Sequence, residues 1–250
     1  MKIAICVKQV PDTASKISIS QDEKEIESAN IRLEMNPYDE YALEEAIRIK
    51  EKIENTEITV ISLGEAQIKN MLNKALAIGA DKAIHLESDR KFIDPLNTAK
   101  ILAKELKENE YDLIFFGKKS VDNDHHQTGI LVSELLGIEA VSCCTEYTVE
   151  ENMIKIKREI EGIQEIYESK LPIIITQEKG KNEVRYPSLK DLMAAKKKPI
   201  ENRKVEVEKD RITTSKLEYP ETNRKPKIVG EGIEAVPELI KLLKEEAKII

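Results

Sequence analysis

The stretch Phe115 to Gly129, FFGKKSVDNDHHQTG, gathers more chemistry-bearing groups than any other part of this 250-residue chain. An apolar run stops at Gly117. Lys118, Lys119, Ser120, Val121, Asp122, Asn123, Asp124, His125, His126, Gln127 and Thr128 follow before a helical pattern resumes. Three chemistries compete for these residues. His125-His126 beside Asp122 and Asp124 resembles a metal site, but neighbouring side chains diverge and only His85 remains elsewhere, so a hydrogen-bonding loop is the better reading. No Ser-His-Asp or Cys-His order is defensible from spacing, so no catalytic residue is named. The third chemistry is nucleotide binding. Gly117 permits a sharp turn, Asp122, Asn123 and Asp124 suit turns and caps, and Thr128-Gly129 let backbone approach something flat or charged. Loop amides and helix starts hold phosphate without requiring lysine. Neither GxGxxG nor GxxxxGK(S/T) occurs, which disfavours a Rossmann dinucleotide site and a P-loop.

Such a loop needs a scaffold, and ligands of parallel sheets bind at the carboxyl ends of strands. Short apolar runs predict buried strands at Lys2 to Val7, Glu57 to Leu63, Lys82 to Leu86, Asp112 to Phe116 and Leu171 to Thr176. Helical spacing predicts helices from Asn36-Pro37 to about Lys52, from Glu65 to Ile78, from Asp94-Pro95 to about Lys107, and from Gln127 to Leu136. Asn36 is the expected cap of the first, with Asp39 and Glu40 facing its positive end. The repeated strand-loop-helix unit implies a parallel sheet with helices on both faces. Ile17 to Ser20 alternates like a short exposed strand, Ala140 to Cys143 reads as another, and Lys8 to Thr13 reads as a loop. Thr145 to Val149, Met153 to Arg158 and Gln164 to Tyr167 read as an antiparallel meander, and Pro172 is expected at the edge of the buried strand that follows, where no ladder donor is required. The loops Lys8 to Thr13, Leu63 to Ala66 and Gly117 to Thr128, with the Asn36-Pro37-Tyr38-Asp39 helix start, are expected to enclose one ligand. The predicted fold is α/β: a parallel-sheet, nucleotide-binding three-layer sandwich with a β-meander insertion, spanning residues 1–186, and an extended C-terminal arm ending in a helix.

Residues 187–200 form a separate motif. Ser188 caps a short helix whose apolar residues Leu189, Leu192 and Met193 adjoin Lys196-Lys197-Lys198, a knob suited to transient docking or simply to solubility. Residues 201–250 read as a polar arm without a core element through Lys227, then a helix through Val236, Leu239, Ile240, Leu242 and Leu243. A formal net charge of -7 argues against nucleic acid, and the absence of an apolar run of eighteen argues against membrane insertion. Three cysteines, Cys6, Cys143 and Cys144, form no disulfide framework, which fits a cytoplasmic compartment and ordinary buried thiols.

Five blocks in register resemble the β subunit of electron-transfer flavoprotein. They are Cys6 to Thr13 (CVKQVPDT), Met35 to Glu40 (MNPYDE) with Ala42 to Ala46, Ala75 to Lys82 (ALAIGADK), Gly117 to Gly129, and Arg185 to Leu189 through Ala195 to Lys198. The resemblance covers almost the whole chain. It implies an electron carrier rather than an enzyme, paired with an α subunit that carries redox-active FAD, while the β subunit binds a second nucleotide. That nucleotide is AMP in the electron-shuttling branch, or a second FAD with access for NADH in the bifurcating branch. By motif, its contacts fall on Cys6, Asn36, Pro37, Tyr38, Asp39, Leu63 and Gly117 to Thr128. The loop DNDHHQTGI is closer to the DDDCNQTGQ of the AMP-containing branch than to the DGDTAQVGP of the bifurcating branch, although His125-His126 departs from both. AMP is therefore favoured. The resemblance also makes Leu189, Met193, Lys196, Lys197 and Lys198 a docking site for acyl-CoA or related flavin dehydrogenases, and the arm a clamp on the α subunit. A stand-alone adenine-nucleotide-binding protein of the stress type is the remaining alternative; it would need neither knob nor arm.

Overall fold

The computed structural model describes residues 1–27, 31–90, 93–221 and 227–250. The chain divides into two units, Met1–Ser215 and Lys216–Ile250. The first carries the strands β1 (Lys2–Cys6), β2 (Gln9–Pro11), β3 (Leu33–Met35), β4 (Glu57–Gly64), β5 (Lys82–Glu87), β6 (Leu113–Gly117), β7 (Ala140–Glu150), β8 (Met153–Ile160), β9 (Ile163–Lys170), β10 (Ile173–Gln177) and β11 (Ile200–Lys204). Its helices are α1 (Pro37–Lys52), α2 (Lys69–Ile78), α3 (Pro95–Lys107), α4 (Thr128–Leu136) and α5 (Leu189–Ala195). The second unit carries α6 (Val236–Glu245), which has no buried residue.

Nine strands form one sheet in the order β11-β5-β4-β1-β6-β10-β7-β8-β9. Pairing is parallel from β11 to β7 and antiparallel through β8 and β9. Alternation along β1 explains the layers. Ile3 and Ile5 enter a core cluster with Leu43, Ile47, Leu72 and Leu76 of α1 and α2. Ala4 and Cys6 enter another with Leu102, Leu106 and Val132 of α3 and α4. A strand buried on both faces must be apolar, and β1 is from Ile3 to Cys6, after its exposed first residue Lys2. This is the expected three-layer α/β sandwich.

Several elements differ from expectation, each for a local reason. Part of the Lys8 to Thr13 loop is β2, which pairs antiparallel with β3 and returns the chain toward α1. Ile17 to Ser20 is not a strand; Ile19 forms an isolated bridge with Ile26. The helix expected from Glu65 opens with a 3-10 turn at Ala66–Ile68. Ala140 to Val149 is one strand whose register shifts between Cys144 and Glu146, with Cys143 at φ 55°. β10 is interior, and Pro172 immediately precedes its first residue, Ile173, at the edge of the strand as expected. Residues 200–204, read as the junction of docking loop and arm with no core element, are β11, an edge strand on β5. Its sequence IENRK exposes most side chains, so it carries no apolar alternation to betray it. The stretch 222–226 of the expected arm lies outside the described residues.

Candidate functional site

The site grows out of the register of three strands. Cys6 of β1 pairs with Ile61 of β4 on one side and Phe116 of β6 on the other, so β1 and β6 end together while β4 runs on to Gly64. The β2–β3 ribbon then brings Asn36 alongside, where its amide donates to the Lys8 carbonyl at 2.9 Å. Asp39, third residue of α1, faces inward and is only 4% exposed. Its Oδ2 accepts from the Lys8 amide at 2.7 Å and its Oδ1 from the Gly117 amide at 3.0 Å. One carboxylate thus joins the exits of β1 and β6 to the start of α1. Burial pushes its pKa up to about 7 against the pull of those amides. Gly117 is required here because an added Cβ would lie 2.3 Å from Asp39 Oδ1.

Asn36 occupies the cap position of α1 but makes no side-chain cap bond. Its own carbonyl already accepts from the Asp39 and Glu40 amides, at 2.9 and 3.1 Å, which frees the side chain. The side-chain amide instead donates to the Lys119 carbonyl at 2.8 Å and accepts from the Val121 amide at 3.1 Å. Those two bonds fix the middle of the Gly117 to Thr128 loop.

Charges close the rim. Lys8 Nζ donates to Asp122 at 2.6 Å and to Ser120 Oγ at 3.4 Å. Lys119 pairs with Asp124 at 2.8 Å, and Lys118 pairs with Glu178. The ammonium groups of Lys118 and Lys119 lie 5.0 and 6.0 Å from the centroid of the Tyr38 ring. Asp122 through Gln127 are exposed, with Asp124 and His126 at positive φ. Among the described residues no three His, Cys, Asp or Glu converge as metal ligands. At the far end of the loop, an added Cβ on Gly129 would meet Thr176 Cγ2 at 2.9 Å, so the glycine lets α4 begin close against the strand exits.

The sequence residues therefore fall into two groups. Asn36, Pro37, Tyr38, Asp39 and Gly117 to Thr128 come together at one edge, with buried Cys6 below them, its thiol pushed up by burial. Leu63, next to last in β4 and opposite Leu86, packs half-buried against the second core cluster and takes no part in this polar network. Lys8, from the expected loop Lys8 to Thr13, belongs to the rim, and so do Gln177 and Glu178, which the sequence reading does not include. The Gln177 carbonyl accepts from the Lys118 amide at 2.8 Å, and its side chain accepts from the Tyr147 hydroxyl. The available signal was polar Thr176-Gln177 closing an otherwise apolar strand, where both are buried.

The second predicted site lies on α5. Ser188 and Asp191 form a capping box, and Leu189 and Met193 are 83% and 66% exposed. Lys196 and Lys197 are exposed, but Lys198 is spent elsewhere: its ammonium donates to the carbonyls of Leu76 and Ala80 at 2.9 and 2.6 Å, capping α2. Upstream, Arg185 bonds Glu44 at 2.8 Å and Glu51 at 2.6 Å. An exposed apolar turn is thus tethered at both ends. No helix among the described residues is long and apolar enough to cross a membrane.

Residues 25–208 match the electron transfer flavoprotein domain family. Over 251 residues the chain is 37% identical to an electron transfer flavoprotein subunit beta of Bradyrhizobium diazoefficiens, covering 100% of both. It is 38% identical over 253 residues to the mitochondrial subunit beta of Arabidopsis thaliana, again covering 100% of both. The human subunit beta is 35% identical over 254 residues, covering 100% of this chain and 99% of the human one. The chain belongs to the electron transfer flavoprotein family, among its β subunits, which are electron carriers rather than enzymes.

Proposed function

We propose that this chain is the β half of a heterodimeric electron carrier, in which an α subunit holds a redox-active FAD and this chain holds a structural AMP. The observation that carries the reading is the Asp39 joint, which draws the β1 exit, the β6 exit and the α1 start into one rim. The residues there suit an adenylate. The first-turn amides of α4 have no intrahelical acceptor and are the kind of donor a phosphate takes. Asn36 holds the loop that leads to them, Cys6 and Leu63 offer a less polar flank, and Pro37, Tyr38 and Gly117 to Thr128 complete the contacts. FAD, when bound by the partner, supplies the electron-accepting chemistry. This chain's own residues bind and position.

Docking completes the reading. Leu189 and Met193, with Lys196 and Lys197 beside them and Lys198 anchoring the segment, take an acyl-CoA or related flavin dehydrogenase as electron donor. The apolar side of α6, with Val236, Leu239 and Ile240 exposed, suits the α subunit. A cytoplasmic setting is consistent with the free thiols Cys6, Cys143 and Cys144. The test is extraction of bound nucleotides from the complex purified with its α subunit. AMP and FAD in equal amounts are expected; two FAD and no AMP would replace this reading with the bifurcating one.

A further inference from the structure

The carboxyl edge of the sheet carries a second polar joint, apart from the nucleotide rim. From Val205 to Glu221 the chain forms neither helix nor strand, and Asp210 is the single buried residue of that stretch. A buried carboxylate in an exposed, irregular segment demands partners. Asp210 Oδ1 accepts from the Asp94 amide at 3.0 Å and from Asn97 Nδ2 at 3.1 Å, and Oδ2 is paired with Arg90. The exchange is reciprocal. Asp94 Oδ2 accepts from the Arg211 amide at 2.6 Å, while its Oδ1 caps α3 through the Asn97 amide at 2.8 Å. The Glu208 carbonyl accepts from Arg90 at 3.0 Å and from Asn97 at 3.1 Å. Such a network of buried polar groups contributes defined geometry more readily than net stability.

Its location gives the geometry a use. β11 runs parallel to β5, with Lys204 beside Glu87, so the segment that follows emerges at the carboxyl edge of the sheet. The Asp39 rim occupies the same edge. We propose that Asp94 and Asp210 fix the point from which the C-terminal arm departs, so that the partner gripped by the arm meets the nucleotide-bearing edge. This rests on the reading of the arm as a grip on the α subunit. A segment already ordered in the free chain spares the complex that entropic cost on association. Both aspartates are positioning residues; neither touches a ligand.

The test uses the full chain, alone and with its α subunit. In Asp210→Asn one acceptor oxygen becomes an NH₂ group, which cannot serve donors on both sides. Trypsin should then cut after Lys209 or Arg211 about tenfold faster in the free chain, and α association should weaken about tenfold, with bound nucleotide retained. Asp94→Asn preserves a good helix cap and should produce the same pair of defects. Because the two act as one joint, the double variant should be no worse than either single variant. Unchanged cleavage overturns the joint. Faster cleavage with unchanged association, or additive losses in the double variant, overturns the positioning role. Failure of the unsubstituted chain to bind α overturns the parent reading, and the cleavage arm still decides the joint.

Discussion

The rim around Asp39 and the turn at α5 are both expected to bind something, yet they are built in opposite ways. At the rim, Asn36 and Asp39 are nearly inaccessible and their side-chain bonds go to backbone far away in sequence, Lys8, Gly117, Lys119 and Val121. At α5, Leu189 and Met193 project into solvent, and the bonds that hold the segment are made by Arg185 and Lys198, outside the apolar turn. A rim of this kind is preformed, so its shape and the stability of the fold depend on the same atoms. The α5 turn presents a surface whose side chains the fold does not need. A ligand kept permanently suits the first; a partner met and released suits the second.

That contrast breaks most visibly at Asp39. Asp39→Ala leaves the Lys8 and Gly117 amides without their acceptor inside the protein, and at 1–3 kcal/mol for each such group the expected loss is about 4 kcal/mol. Urea unfolding measures it, and a loss below about 1 kcal/mol would show that the rim is not structural. Gly117→Ala tests the same joint by crowding, since the new methyl would lie 2.3 Å from Asp39 Oδ1. A destabilisation of about 2–3 kcal/mol, with nucleotide lost on gel filtration, is expected.

The rim should also respond to pH. Asp39 has a folded value of about 7, against an unfolded value of about 4, so the folded state holds a proton that the unfolded state has released. Its stabilising contribution is complete below pH ~4 and is lost as pH rises through ~7, by at most about 1.4 kcal/mol per pH unit. Asp39→Asn cannot ionise. Its stability should therefore gain on that of the natural chain by about this slope across the window, and a constant difference between the two would place the ionisation of Asp39 elsewhere.

The difference between the regions also explains what was legible in the sequence. Periodicity revealed the buried strands and α1 to α4 because apolar burial leaves a pattern in every residue it uses. The loops after β1 and β6 were legible as neighbours because parallel strands share their carboxyl ends. What stayed hidden was pairing across long separations. Asn36 looked like a helix cap, and nothing local showed that its amide reaches Lys119 and Val121. Lys198 looked like one of three equivalent lysines until the α2 carbonyls came within its reach. β11 was missed because an edge strand is held by backbone pairing with β5, which requires no particular side chains.

At α5 the effects on folding should be small and those on function selective. Ser188→Ala removes the acceptor for the Asp191 amide and half of the capping box, at a cost of about 1 kcal/mol confined to one exposed turn. Leu189→Ala should cost less than about 0.5 kcal/mol, because a side chain already in water loses little on truncation. If the turn is the docking surface, the same substitution should slow electron uptake from a flavin dehydrogenase while leaving bound AMP and FAD unchanged. Stopped-flow reduction of the complex across a range of dehydrogenase concentrations separates the steps. A weaker apparent affinity with an unchanged limiting rate is the signature of lost docking; an unchanged concentration dependence would move the contact away from Leu189. The contrast is sharpest in this pair of variants, since Asp39→Ala should damage fold and ligand together, whereas Leu189→Ala should damage only the encounter.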